Sequence, residues 1–331
     1  MGSFDPAMRR TILRRATVLG TAIVAGCLDS EGDADEPVGN GADDAVENGA
    51  VTFVYDDGPV EDVEIALPAH EKYDVPASAG SVSNWMESND DQWLDTDGVA
   101  TLSDAGWEIA CHTADHVALT SFELVEDVEP GDSRIYPEGR GQHGFVTGHP
   151  IEVTDGETVL RRTIVASDDD EIGRYFTLDE PIDESFAAGE TVERYPSDFV
   201  RQQLETSIDA LSEFDPTTFL APHNVIDDRH IDIVSDYYDG IFNVHSGDPA
   251  NEVPFDPFDT NRSYFAERVD RNEVYDDLER IADENLYGIL GAHTYRDAVT
   301  RERIEETLEW CAELGIEVLT FEDAISRNAV E

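Results

Sequence analysis

Residues 51–59 read VTFVYDDGP, and the reading of this stretch decides the fold. The first five side chains are β-branched or aromatic and predict a buried strand. Two adjacent carboxylates follow, Asp56 and Asp57, and Gly58-Pro59 turns the chain. Neighbouring acids repel each other, so a strand end that carries both is costly unless a cation or a proton offsets them. Read alone, the stretch is also compatible with an Asp-Asp-Gly turn on an acidic surface.

A second stretch changes the balance. Residues 107–111, WEIAC, predict a strand that runs straight into His112-Thr113-Ala114-Asp115-His116. Histidines at i and i+4 point the same way if the segment is one helical turn, and this is ligand spacing for a divalent metal. A carboxylate and two imidazoles make a three-ligand set with a position left for water or substrate, the pattern of a catalytic site rather than of a closed structural one.

Working outward, strands alternate with helices. Residues 60–73 predict a helix, 75–82 a strand and 102–105 a helix that Gly106 stops. From 197 the rhythm resumes with helices at 199–214, 231–237, 273–284 and 301–314. Strands at 217–221, 240–244, 263–265, 287–292 and 316–321 lie between and after them. This order predicts parallel strands covered by helices, an α/β fold of the distorted (β/α)7-barrel type, with active residues at the carboxyl ends of the strands. Between 122 and 196 the helical period disappears. Strand-like runs at 122–128, 145–153, 158–166, 174–178 and 191–195 predict a small all-β insertion. The insertion follows the His motif directly, so it is expected to border the cleft. A spacer or a subunit contact is the alternative.

The 331-residue chain carries 75 Asp+Glu against 21 Lys+Arg, a formal net charge of −54, with Lys72 as its only lysine. Without clustered basic side chains beyond the N-terminus, nucleic acid is excluded as a partner. So acidic a folded chain repels itself at low salt, and the composition implies work in concentrated salt, where the screening length shrinks to about 3 Å at 1 M. At the N-terminus, Arg9-Arg10 and Arg14-Arg15 precede an apolar run, 16–26, that ends at Cys27. The run is shorter than the roughly 20 residues that a membrane span needs and suits an export signal. Residues 1–27 are read as that signal and 28–50 as an acidic, solvated tether. The barrel is expected in two parts, 51–121 and 197–331, around the 122–196 insertion. Cys111 and Cys311 sit in apolar segments, match no metal spacing, and are expected as buried thiols.

VTFVYDDGP followed by GWEIACHTADH resembles the two leading motifs of the polysaccharide deacetylase family, the NodB-homology or carbohydrate esterase family 4 group. The resemblance covers 51–120 and 197–321. It implies a metal-dependent deacetylase that hydrolyses an acetamide on an extracellular amino sugar or polysaccharide. It further implies Asp57, His112 and His116 as metal ligands, Asp56 as the general base that activates a water, and His293, at the end of GILGAH, as the general acid. The ion is a divalent metal, Zn2+ first, and the donor set also suits Co2+, Mn2+ or Ni2+. Arg14-Arg15 resembles a twin-arginine signal and Val24-Ala25-Gly26-Cys27 a lipobox. Together with the acidic composition they resemble a haloarchaeal exported lipoprotein, lipid-anchored at Cys27 on the outer face of the membrane.

The family's third motif has an arginine that orients the base. Here Phe219-Leu220-Ala221-Pro222-His223-Asn224 has Leu220 in its place. Arg262 is the candidate substitute through space, Asp248 the candidate for orienting His293, and Pro222 and His223 candidates for substrate contact. The missing arginine and the extra β module leave a second reading open, a carbohydrate-binding surface lipoprotein with weak or no turnover. His143, His149 and His230 carry no motif and are expected at the surface.

Overall fold

The computed structural model describes residues 48–88, 90–139 and 143–330. The signal, most of the tether and Cys27 lie outside the described residues. The first part runs β1 Ala50–Tyr55, a π-helical turn Asp62–Ala66 continuing into α1 Leu67–Tyr73, β2 Ser78–Ser81, α2 Ser83–Met86, α3 Thr96–Asp104 and β3 Glu108–Cys111. Then come β4 Ser121–Glu123, β5 Arg134–Ile135, β6 Pro150–Thr154, β7 Val159–Asp169, β8 Arg174–Leu178 and β9 Val192–Arg194. The second part contains α4 Ser197–Ala210, β10 Thr218–Phe219, α5 Asp228–Val234, β11 Gly240–Ile241, β12 His245–Ser246 and β13 Ala250–Asn251. It ends with β14 Asn261–Tyr264, α6 Arg271–Glu284, β15 Tyr287–Ala292, α7 Arg301–Leu314, β16 Glu317–Val318 and α8 Phe321–Asn328.

The large sheet has the order β11-β10-β3-β2-β1-β15-β14-β12, with β16 also on β1 and β13 on β15. All its pairings are parallel except that of β13 with β15. The sheet curls into a distorted half-barrel, the α/β architecture that the alternation predicts. Its central strand is β1, buried at every residue. The two faces of β1 feed two cores. Val51, Phe53 and Tyr55 pack outward under the helices with Val99, Leu102, Leu278 and Leu308. Ala50 and Val54 point inward, among Ala110, Leu220, Phe242, Tyr287 and Phe321. A strand buried on both faces must be apolar throughout, which is why this stretch lacks polar alternation.

Glu108, buried at the start of β3, accepts hydrogen bonds from Ser78 Oγ (2.7 Å), Thr218 Oγ1 and the Phe321 amide (2.7 Å). It ties three strands to the first turn of α8, a helix that hydrophobic periodicity alone did not suggest. Cys111 and Cys311 are free, buried thiols.

The 122–196 stretch holds a six-stranded antiparallel sheet, β4-β9-β6-β7-β8-β5. Ile135, Phe145, Ile151, Val153, Ile164, Phe176 and Tyr195 are buried in it. Its connection around Gly144 lies against the segments that follow β3 and β10: the Ala118 amide donates to the Gly144 carbonyl at 3.0 Å, and the His143 and His223 rings are 4.3 Å apart. Among the described residues, no helix is long and apolar enough to cross a membrane.

Candidate metal centre and active site

The carboxyl ends of β1, β3, β10 and β15 meet at one place. In register, Tyr55 pairs with Ala292, and Cys111 with Phe219, so Asp56 starts beside His293 and His112 beside Leu220. Asp57 has φ 79°, a left-handed conformation that an L-residue adopts only at a cost of about 1–3 kcal/mol. This turn lets two consecutive carboxylates face one cleft instead of opposite sides of the sheet.

Asp57 Oδ1 lies 3.2 Å from His112 Nε2 and 3.1 Å from His116 Nε2. The three candidate ligand atoms fall within 4.8 Å of one another, and among the described residues they form the one such cluster. Residues 112–116 are a loop and not the helical turn expected from the spacing. Thr113 (φ 58°) and His116 (φ 55°) are both left-handed, and this double reversal brings the second imidazole back over the first.

The donor set fits a cation. His112 Nδ1 donates to the Leu220 carbonyl at 2.7 Å, which fixes the tautomer whose lone pair is at Nε2. That lone pair faces Asp57 Oδ1, a buried oxygen that accepts no hydrogen bond among the described residues. An acceptor aimed at an acceptor in a buried site costs free energy that a bound ion removes. The His116 pKa is lowered, chiefly by burial and further by His112, against the pull of Asp57, which favours the neutral ligand form. Asp57 Oδ2 accepts from the Tyr295 hydroxyl at 2.9 Å.

Asp56 is held separately. Its Oδ1 pairs with Arg262 Nη2 in a buried contact. Arg262 is 1% exposed, so this is a paired interior charge. It comes from β14 and reaches Asp56 across Gly291 of β15, where a Cβ would overlap the guanidinium. Its Nη1 donates to Asn224 Oδ1 at 3.0 Å, and Asn243 Nδ2 donates to the same oxygen at 2.7 Å. Asp56 thus has an arginine partner from another strand, while Leu220 lies in the apolar core beneath.

His293 Nδ1 donates to Glu267 Oε1 at 2.5 Å, and its Nε2 lies 3.7 Å from Asp56 Oδ2. Burial alone would lower the His293 pKa, but Asp56, the Glu267 hydrogen bond and Asp57 together raise it above 6.5. Asp248, the expected orienting acid, is elsewhere: it pairs with Arg280 at 2.5 Å and accepts from the Ala250 amide. Glu267, 6% exposed, holds that position. No motif marked Glu267, since it is 26 residues from its partner and reaches it only through the β14–β15 pairing. Asp62, fully buried, accepts from Thr294 Oγ1 at 2.6 Å and pins the residue after His293.

Pro222 is buried and opens the turn Pro222–Asn224. His223 Nε2 donates to the His116 carbonyl at 3.1 Å, which supports the left-handed backbone of a proposed ligand. Burial and the neighbouring His116 and His143 lower the His223 pKa to about 3, so the ring stays neutral. His143 is exposed and His149 half-buried, but His230 is buried against Asp227 and corrects its expected surface position. An aromatic wall stands on the other side: Trp85 lies 4.3 Å from Trp93 and 5.0 Å from His116, ring to ring.

Residues 43–129 match the model of the polysaccharide deacetylase family. That segment contains Asp56, Asp57, His112 and His116, so the resemblance read from the two motifs holds there. No curated protein matches the chain. Among solved structures, the chain is similar to a T48 deacetylase with substrate, at 11% identity and TM-score 0.42, covering 86% of this chain and 97% of that one. It is also similar to a family 4 carbohydrate esterase from Streptomyces lividans in complex with acetate, at 12% identity and TM-score 0.42, covering 86% and 97%. A CE4 family pseudoenzyme from Bacillus anthracis aligns at 13% identity and TM-score 0.45, covering 86% and 68%.

Metal titration tests the cluster directly. Zn2+, Co2+, Mn2+ or Ni2+ added to chelator-treated protein in high salt is expected to raise the thermal midpoint, by an amount equivalent to about 2.7 kcal/mol at 100 Kd. H112A is expected to abolish the rise. An unchanged midpoint with every ion would count against the site.

Proposed function

We propose that this protein is a metal-dependent deacetylase that hydrolyses the acetamide of an N-acetylated amino sugar to acetate and a free amine. The observation that carries the reading is the convergence of Asp57, His112 and His116 beside two differently tuned groups, Asp56 with Arg262 and His293 with Glu267. Asp57, His112 and His116 would hold a divalent cation, which would supply Lewis acidity toward water and the acyl oxygen. Asp56 is the base. Arg262 occupies its Oδ1 and leaves Oδ2, on the His293 side, to take a proton from the attacking water. His293, as imidazolium, gives its Nε2 proton to the nitrogen as the C–N bond breaks, and Glu267 keeps the Nδ1 proton in place. Trp85 and Trp93, on the His116 side, offer an apolar face for the acyl methyl group, and they limit water on that side. The Arg262 contact supports the deacetylase reading over that of a binding protein without turnover, since it gives the proposed base a cationic partner.

We also propose that the protein works in concentrated salt, exported and lipid-anchored at Cys27. The support is the acidic composition and the order of arginine pair, apolar run and cysteine.

Three measurements bear on this. D56N is expected to lower kcat for acetate release from chito-oligosaccharides by about 10²–10⁴-fold with the fold intact; an unchanged rate would make the assigned base wrong. E267Q removes the charge that raises the His293 pKa, so the imidazolium is lost sooner as pH rises. The alkaline limb of the kcat–pH profile is expected to move to lower pH, and a stationary limb would exclude His293 as the acid. C27S is expected to move the protein from the membrane fraction to the soluble one; retention would refute the lipid anchor.

A further inference from the structure

Acid outnumbers base in this chain by 75 to 21. A guanidinium without a carboxylate partner is therefore unusual here. Among the described residues, Arg174, Arg268 and Arg296 are the arginines that pair with no carboxylate. Arg174 starts β8 in the insertion. The other two stand at the active site.

Both are exposed and both lie over a tyrosine that flanks His293. The Arg268 guanidinium is 5.4 Å from the centre of the Tyr264 ring, and that ring is 5.6 Å from the ring of His293. The Arg296 guanidinium is 4.8 Å from the Tyr295 ring, which is also 5.6 Å from His293. Carboxylates are close in sequence but are not engaged. Asp297 adjoins Arg296, and Asp270 caps α6 by accepting from the Asn272 amide. At Arg268 the backbone is left-handed (φ 62°), so Glu267 turns inward to His293 while its neighbour turns out to solvent.

The chemistry gives these cations a direction. On the proposed function, which this inference rests on, His293 faces the departing nitrogen. The sugar that owns that nitrogen then lies on the Tyr264 and Tyr295 side, and the acyl group lies toward Asp57 and the histidines. We propose that Arg268 and Arg296 bind an anionic substituent, a carboxylate or sulfate, on the sugar or on its neighbour in the glycan, so that the substrate is an acidic N-acetylated glycan. Guanidinium forks suit such oxyanions, and a ring beneath each one holds it in position. The net charge of the protein repels an anionic glycan at long range, so selectivity must come from contact pairs. In concentrated salt these are the electrostatic interactions that survive.

The test compares heparosan tetrasaccharide, chondroitin sulfate tetrasaccharide and neutral N-acetylchitotetraose, using the full chain with metal in high salt. The acidic substrates are expected to exceed the neutral one in kcat/KM by about tenfold. R268Q and R296Q are each expected to cut that ratio about threefold, as expected for exposed charge pairs, and R174Q to leave it unchanged. Both acidic glycans carry a uronate, so adding unsulfated chondroitin tetrasaccharide isolates the sulfate: a gain of the sulfated over the unsulfated chondroitin assigns the anion to sulfate, and parity assigns it to the carboxylate. Calorimetric binding of the same glycans separates the two claims. Arginine-dependent binding of acidic glycan without acetate release would keep this site and sink the deacetylase reading. Deacetylation of chitotetraose at least as good as that of the acidic glycans, with ratios unmoved by R268Q and R296Q, would overturn the anionic substrate and leave the deacetylase reading intact.

Discussion

Two carboxylates at the end of a fully buried strand are the constraint to which the rest of the active end responds. Asp56 and Asp57 are each 4% exposed, where solvent screens little of their mutual repulsion. The structure separates them by giving each a different counterpart. Asp56 takes a guanidinium from β14. Asp57 turns through a left-handed backbone to meet two imidazoles whose donor set fits a cation. His293 stands between, raised in pKa by both acids and by Glu267. Without Arg262, Asp56 would be an uncompensated interior charge, and the charge of Asp57 is what the three-donor cluster would offer a cation.

The parallel sheet makes this division workable. Adjacent parallel strands end at the same level, so groups far apart in the chain arrive within hydrogen-bond reach. His112 and Leu220 are 108 positions apart, and Asp56 and Arg262 are 206 apart, yet each pair is in contact. Close approach needs room, and Gly291 provides it by leaving the space that the Arg262 guanidinium fills. The insertion adds a wall at the same end. Through His143, Gly144 and His223 it lies against the loop that carries His116.

Charge works at two scales. Across the whole chain there is a large negative excess, a net charge of −54. At the mouth of the cleft, two guanidinia stand free of carboxylates in a chain where most of the described arginines are paired. Such a local exception has meaning because the background is so one-sided, and it lies on the side from which the proposed acid would address a leaving amine.

Much of this was legible from residue order alone. An apolar run buried on both faces and the β-then-α alternation announce a parallel sheet, because burial fixes which side chains a strand can carry. The Asp-Asp and His-x-x-x-His stretches are legible because each is local and each directly follows a strand. What residue order could not supply was pairing across the sheet. Arg262 reaches Asp56 from 42 positions beyond Leu220, Glu267 stands where Asp248 was expected, and His112 and His116 converge through a left-handed loop instead of a helical turn. Local sequence determines which strands form and which residues end them. Only the tertiary register decides which distant charges meet, because a buried charge takes its partner from whatever the fold brings within a few ångströms.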